Sequence, residues 1–172
     1  MIEQIKIPKK RIAVLIGEKG LTKQKIEKKT STILNVGSKN GDINIEGKIS
    51  LNVYLTKKII MAIGRGFNPD VALSLLNDKN FFEMINIHDL VGKSKNQEIR
   101  IKSRVIGTRG KARIRIEEMT GVHISIYGKT IGIIGSIEGV DLARRALEKL
   151  INGSPHQKVY QWIEMQQLEE EI

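Results

Sequence analysis

Apolar residues recur along the chain first at strand spacing and then at helix spacing. Near the start, Ile5 and Ile7 alternate with polar residues, which is typical of a half-buried strand. A short apolar run then ends at a Gly-x-x-Gly segment, and a second helix is predicted over about 21–29. Two hairpin strands and a long amphipathic helix complete the unit, at about 33–36, 43–46 and 50–63. The predicted order is βααββα.

The same order of elements is predicted a second time. Ile99 and Ile101 alternate with polar residues, as a first strand would. The remaining elements are two helices separated by Gly-x-x-Gly, two hairpin strands and a long helix, at about 104–106, 111–119, 122–127, 130–134 and 137–151. We therefore predict an α+β protein of two βααββα domains. Each would have a three-stranded antiparallel-type sheet with helices packed on one face.

The two units also match residue by residue, which indicates an internal repeat. When the chain is shifted by 90 residues, Gly17-Glu18-Lys19-Gly20 falls on Gly107-Thr108-Arg109-Gly110. From residue 12 to residue 36, six of 25 aligned positions are identical, and three lysines fall on arginines. Glycines, periodic apolar residues and cations are thus repeated together. We predict one domain at 1–66 and a second at 96–153.

Two segments lie outside the repeat. Residues 67–95 are predicted to form a connector, with a short helix that begins at Asn68-Pro69 and an apolar segment from about Phe81 to Ile87. Residues 154–172 are predicted to form a C-terminal helix, because Val159, Trp162 and Ile163 recur at roughly helical spacing.

Positive charge is concentrated in the two repeated units. The net charge is +10, to which residues 1–66 contribute +9 and residues 96–153 contribute +5, whereas 67–95 carry −1 and 154–172 carry −3. Such a balance favours a polyanionic partner, with nucleic acid ahead of a membrane. Neither basic block combines its cations with Trp, Phe and Leu as membrane-binding helices do, so no membrane contact is expected.

The start of the chain and the lack of cysteine limit location and chemistry. The N-terminus lacks the apolar core of a signal peptide, and a cytoplasmic location is expected. Without cysteine there is no disulfide and no thiolate metal site. The three histidines are isolated from one another, and Glu117 and Glu118 would point about 100° apart on a helix. We therefore predict no enzyme activity, no cofactor and no metal site.

The repeated Gly-x-x-Gly segments are the candidate binding sites. Glycines permit a tight turn and a close approach of a nucleic-acid backbone, while loop amides and a following helix N-terminus favour phosphate. The alternative is an ordinary helix–helix turn, and Gly132-Ile133-Ile134-Gly135, in a predicted strand, is assigned a purely structural role. The candidate RNA-binding residues are Gly17, Glu18, Lys19, Gly20 and Lys23 in the first unit and Arg104, Ile106, Gly107, Thr108, Arg109, Gly110, Lys111 and Arg113 in the second.

The second unit resembles the KH core signature from Arg104 through Val122, in the type I arrangement with Gly-x-x-Gly between two helices. The whole chain is similar to archaeal members of the Partner-of-Nob (Dim-type) ribosome-assembly family. That similarity rests on Gly66 to Pro69, Phe82 to Ser94, Ile126 to Lys129 and Gly153 to His156. In KH domains the Gly-x-x-Gly loop clamps about four nucleotides of a single strand. Aromatic residues, which RRM and OB modules use for stacking, avoid both loops.

The resemblance implies a function that charge and spacing alone do not reach. It implies binding near the 3′ end of the small-subunit rRNA precursor, and assistance of the Nob-type endonuclease that trims that end. The alternative is a general KH adaptor in RNA degradation or in mRNA and translation control. We expect a monomer, and whether the first domain binds RNA or protein stays open.

Both units depart from the KH pattern at one position. Six residues after the first glycine, many KH domains carry a branched apolar residue, whereas this chain has Lys23 and Arg113. Either the groove floor is more polar than usual, or these side chains turn out to phosphates, and the second interpretation is favoured. The first unit also lacks the Thr120-Gly121 helix stop and has Thr30-Ser31 instead.

Overall fold

The computed structural model describes residues 1–172 and divides into two compact units. The first unit is Met1–Asp78. Its Gly-x-x-Gly segment forms a single 3-10 turn between two helices. The helices and strands of this unit are β1 (Ile2–Lys6), α1 (Lys9–Ile16), α2 (Leu21–Thr30), β2 (Thr32–Val36), β3 (Asp42–Gly47), α3 (Ser50–Gly64) and α4 (Pro69–Leu73).

The first sheet is antiparallel, with β3 between β1 and β2. Alternation along β3 buries Ile43 and Ile45 completely and leaves Asn44 and Glu46 exposed. Side chains of α3 are buried with them, among them Val53, Ile59, Ile60 and Ile63. The helices therefore cover one face of the sheet, as two-layer α+β packing requires.

The second unit is Lys79–Ile172. Its sheet is also antiparallel, with the order β4-β6-β5. The elements are β4 (Asn80–Asn86), α5 (Ile87–Val91), α6 (Lys95–Ile106), α7 (Lys111–Thr120), β5 (His123–Tyr127), β6 (Thr130–Ser136), α8 (Ile137–Ile151) and α9 (His156–Glu170). The predicted α+β fold of two three-stranded sheets with helices is confirmed.

The first strand predicted for the second unit, at Ile99 and Ile101, was wrong. Those residues lie in α6, which the Ser94 side chain caps by accepting a hydrogen bond from the Gln97 amide. Ile101 and Val105, one helical turn apart, are fully buried, whereas Ile99 is 60% exposed. The apparent alternation was the start of a helical repeat.

Strand β4, which pairs with β6 at one edge of the second sheet, comes from the segment predicted as a connector. In β4, Phe82 pairs with Ile134 and Ile85 pairs with Ile131. The segment 67–95 is therefore divided, since residues up to Asp78 belong to the first unit and the rest to the second. The helix predicted at Asn68-Pro69 is present as α4, and the Asn68 side chain caps it by accepting from the Asp70 amide.

The C-terminal helix α9 packs on the second unit. Val159 and Ile163 are buried in the apolar core of that unit. Arg145 and Lys149 of α8 lie over the Trp162 ring, at 4.9 and 4.8 Å from its centroid. At these distances both cations make cation–π contacts with the ring. None of the nine helices has the length and apolarity that crossing a membrane requires.

Candidate nucleic-acid interface

The two Gly-x-x-Gly loops have nearly the same backbone. Gly17 has φ 75° and ψ 175°, and Gly107 has φ 74° and ψ 176°. Between the glycines, Lys19 (φ 53°, ψ 26°) and Arg109 (φ 57°, ψ 28°) occupy the left-handed region that non-glycine residues seldom adopt. The amide of the fourth residue donates to the carbonyl of the first, at 3.2 Å in both loops. Each loop is thus a fixed turn that holds one cation in a strained conformation.

The first glycine of each loop is required by space as well as by its dihedral angles. A Cβ on Gly107 would lie 2.8 Å from the Ala112 Cβ and from its amide nitrogen. A Cβ on Gly17 would lie 2.6 Å from the Thr22 Cβ. The last glycine, Gly20 or Gly110, has open space around it and needs only its positive φ. The close approach of the loop to the next helix therefore fixes where the exposed side chains project.

The exposed side chains of the two loops differ. Glu18 and Lys19 project from the first loop, and Leu21, the first residue after the loop, is 61% exposed. Thr108 and Arg109 project from the second loop. The exposed Lys111 then stands where the first unit has leucine. The second loop and the start of its helix thus present two cations and no acid, which suits phosphate oxygens better.

Lys23 and Arg113 stand where many KH domains have an apolar residue, and each forms an ion pair with an acid one turn further along its helix. The Lys23 ammonium lies 3.1 Å from the Glu27 carboxylate, and the Arg113 guanidinium contacts the Glu117 carboxylate. Glu27 and Glu117 therefore each form an ion pair within their own helix. Glu27 also accepts a hydrogen bond from the Leu34 amide of β2, at 2.8 Å. A phosphate at either position would therefore compete with a carboxylate already in place.

Arg104, a predicted RNA-binding residue, is engaged inside the second unit. Its Nε donates to the Leu150 carbonyl at 2.7 Å, and its Nη2 donates to the Ser154 carbonyl. These acceptors lie at the end of α8, where helix carbonyls lack partners and favour a cation. Arg11 does the same for the end of α3, through the Ile63 and Phe67 carbonyls. Two of the three guanidinium nitrogens of Arg104 are therefore engaged within the second unit, and its binding to RNA stays a prediction.

A cleft beside the second loop contains residues that the sequence analysis missed. It has a volume of about 410 Å³ and is lined by Ile99, Lys102, Ser103, Ile106, Gly107 and Thr108. The four α6 residues follow the helical spacing i, i+3, i+4, i+7, so they share one face. Ile106, a predicted RNA-binding residue, lines this cleft, and helical spacing was the signal that could have found Ile99 and Lys102.

A second cleft, of about 450 Å³, lies between α6, the same loop and the start of α9. Tyr160 lines this cleft, and the Arg115 guanidinium lies 5.4 Å from the centroid of its ring. Burial raises the pKa of the Tyr160 hydroxyl above its ordinary value, and the Arg115 charge opposes part of that rise. No sequence signal marked this cleft, because tertiary packing alone brings α9 to the loop.

The other glycine pair has the structural role that was predicted. Gly132 and Gly135 lie in β6 and are buried, and a Cβ on Gly135 would lie 2.8 Å from Val122 Cγ1. No group of three or more histidine, aspartate or glutamate side chains is arranged to hold a metal ion.

Comparison with known proteins agrees with this geometry. The family model described as "Eukaryotic type KH-domain (KH-domain type I)", for the second domain of PNO1 proteins, matches residues 81–168. A KH domain-containing protein of Methanocaldococcus jannaschii is 44% identical over 167 residues, which are 95% of this chain and 73% of that protein. RNA-binding protein pno1 of Drosophila melanogaster is 34% identical over 128 residues, 74% of this chain and 50% of that protein. The chain thus matches about half the length of the Drosophila relative.

Two solved structures from Pyrococcus horikoshii OT3 have the same fold. The crystal structure of Dim2p has a TM-score of 0.89 and 43% identity, and the match covers 96% of this chain and 99% of that chain. The chain matched in the a/eIF2alpha-aDim2p-rRNA complex has a TM-score of 0.91 and 42% identity, with 98% of this chain and 95% of that chain covered.

The fold and the paired loops define a tandem type I KH protein, a class that binds single-stranded nucleic acid. Within that class, the chain belongs to the Partner-of-Nob (Dim-type) family, and the family predicted from the sequence is confirmed. It is an RNA-binding family of ribosome biogenesis and not a family of enzymes.

Proposed function

We propose that this chain binds the 3′-terminal region of the small-subunit rRNA precursor through the loop of its second KH domain. The observation that carries the proposal is the pair of exposed cations, Arg109 in the turn between two helices and Lys111 at the start of the second helix. A preorganised cation loses little conformational freedom when it meets a phosphate. The proposed RNA-binding set is the predicted one, extended by Lys102 in the adjacent cleft.

Relatives support rRNA as the ligand. One similar structure is a complex of aDim2p with a/eIF2alpha and rRNA, and one similar protein is the pre-rRNA-processing protein PNO1 of Candida albicans. A chain that holds the RNA near its end would leave the terminal phosphodiester for a separate nuclease. We accordingly propose that a Nob-type endonuclease is a protein partner, that the chain is a cytoplasmic monomer, and that it has no nuclease activity itself.

RNA recognition can be tested with a 3′-terminal oligonucleotide of the small-subunit rRNA and a scrambled oligonucleotide of equal composition. Matched salt is essential, because the phosphate contribution depends steeply on ionic strength. We expect the rRNA sequence to bind at least tenfold more tightly, which is about 1.4 kcal/mol. Equal binding of both RNAs would favour a general KH adaptor, and no binding would contradict RNA recognition altogether.

Partnership with the nuclease needs a separate test. A precursor RNA that includes the cleavage site is incubated with a Nob-type endonuclease, with this chain, or with both. We expect cleavage only when the endonuclease is present, and an altered rate when this chain is added. Cleavage by this chain alone, abolished by one point substitution, would instead show an enzyme. An unchanged rate together with no complex on size-exclusion chromatography would contradict the partnership.

A further inference from the structure

We propose that the cleft between α6, the second loop and α9 is a second RNA subsite, which holds a nucleotide adjacent to those clamped at the loop. This inference rests on the proposed function, because it assigns a further part of the same RNA strand. The loop residues Gly107 and Thr108 line both this cleft and the one formed by the Ile99–Ile106 face of α6. A strand held at the loop therefore has two adjoining clefts into which it can continue.

The charged side chains that line this cleft are all cations. Arg100, Arg104 and Lys111 contribute them, His156 adds an imidazole, and no aspartate or glutamate is present. Arg104 has two nitrogens engaged by carbonyls, and its Nη1 makes no hydrogen bond within the chain. The exposed Lys111 ammonium has no acidic partner. A cleft lined in this way attracts an anion and repels a cation.

The cleft lies on a different side of α7 from Arg113, the cation that stands where many KH domains have an apolar groove residue. Lys111 and Arg113 are two positions apart, so their side chains point about 200° apart around the helix. Arg113 pairs with Glu117 on one side, whereas Arg115 lies over Tyr160 of α9 on the other. The acid that neutralises Arg113 is thus directed away from this cleft, and no aspartate or glutamate lines the cleft itself.

The size and lining of the cleft fit a nucleotide. Its volume of about 450 Å³ lies within the ~300–1,000 Å³ that small-molecule sites occupy. The rings of Tyr160 and His156 lie 6.4 Å apart at one wall, and aromatic rings of this kind stack against bases. Lys111 and Arg100 then supply donors for a phosphate. An acidic peptide would use the cations but not the rings, which favours RNA as the occupant.

The test compares RNA lengths in the full chain. The probes are a five-nucleotide rRNA segment and two eight-nucleotide versions, extended by three residues at the 5′ end or at the 3′ end. Arg100→Glu reverses one charge in the cleft, and Lys158→Glu is the matched control on α9, exposed and outside the cleft. We expect Arg100→Glu to weaken one eight-nucleotide RNA at least fivefold and the five-nucleotide RNA less than twofold. Lys158→Glu should weaken neither by more than twofold.

Each other outcome contradicts the subsite. If Arg100→Glu weakens the short and the long RNAs equally, Arg100 acts on binding at the loop. If it weakens neither, the RNA strand does not enter the cleft. If an oligoglutamate peptide binds in an Arg100-dependent manner while the long RNAs are unaffected, the occupant is an acidic protein. Failure of the unmodified chain to bind any of the three RNAs would contradict the proposed function itself. An unchanged melting temperature of the Arg100→Glu variant checks that a loss of binding is not caused by unfolding.

Discussion

The two KH units share a loop backbone and differ in what that backbone presents. The dihedral angles of the two glycines and of the cation between them agree within a few degrees between the loops. The first loop nevertheless offers Glu18 and is followed by an exposed leucine, whereas the second offers only neutral and cationic groups. The comparison shows that glycine spacing fixes the shape of the turn, while the side chains between and after the glycines decide whether it attracts phosphate.

Net charge alone would have ranked the units the other way. Residues 1–66 carry +9 and residues 96–153 carry +5. In the first unit, however, Lys25 pairs with Asp70 and Lys57 pairs with Glu3, so part of the positive charge is compensated away from the loop. In the second unit, Lys102 of one cleft pairs with Glu98 at 3.7 Å, whereas Arg109 of the loop and Lys111 of the other cleft have no acidic partner. Local placement of charge therefore indicates the RNA-binding unit better than the total.

The largest effect is expected from the first glycine of each loop, which tests the shared geometry. Gly107→Ala introduces a clash with Ala112 and a strained φ, and should reduce the free energy of unfolding by about 2–3 kcal/mol. Gly110→Ala meets nothing closer than 3.9 Å and should cost about 1 kcal/mol. Urea unfolding of the full chain measures both. The same ranking is expected for Gly17→Ala and Gly20→Ala, and equal losses within a pair would contradict it.

Charge reversal of the loops tests the difference between them. Changing Thr108 and Arg109 together to Asp places two anions at the proposed phosphate site and should lower RNA affinity at least tenfold, about 1.4 kcal/mol. The fold should persist, because both side chains are exposed. The matched change of Glu18 and Lys19 to Asp should cost less than threefold. Equal losses, measured by fluorescence anisotropy, would show that both loops bind RNA.

A smaller effect is expected where the second helix of each unit ends. Ser31 and Gly121 both adopt the left-handed conformation after that helix, with φ 55° and φ 72°. Ser31→Gly should stabilise the protein by about 0.5–1 kcal/mol, and Gly121→Ser should destabilise it by a similar amount. Denaturant unfolding measures both changes in the free energy of unfolding, provided that the m-value stays constant. A destabilising Ser31→Gly would mean that the serine side chain contributes more than its backbone strain costs.

Local features of the fold were predictable from the sequence because local chemistry determines them. The loops, the αL stop at Gly121 and the Asn68 cap all follow from short motifs, and the structure has each of them. The first strand of the second unit was misplaced because the segment 80–86 is apolar without alternation, as Phe81, Phe82, Met84 and Ile85 show. Alternation at Ile99 and Ile101 covered too few residues to distinguish a strand from a helix.

The rest of the site required the tertiary structure. Arg104 was predicted to bind RNA, but its hydrogen bonds within the unit were not predicted, because the carbonyl acceptors lie 46 and 50 residues further along the chain. Tyr160 reaches the loop only because α9 packs back onto the unit. Partners this distant in sequence leave no local pattern, so neither role was predictable.

The salt dependence of RNA affinity tests most directly whether the second loop is the phosphate clamp. For single strands, the slope of log affinity against log salt falls in magnitude by about 0.7 for each phosphate contact that is lost. We expect Arg109→Ala to reduce the slope by about that amount, and Lys19→Ala, the same change at the paired position of the first loop, to leave it unchanged. An unchanged slope for Arg109→Ala, or an equal reduction for Lys19→Ala, would contradict the assignment.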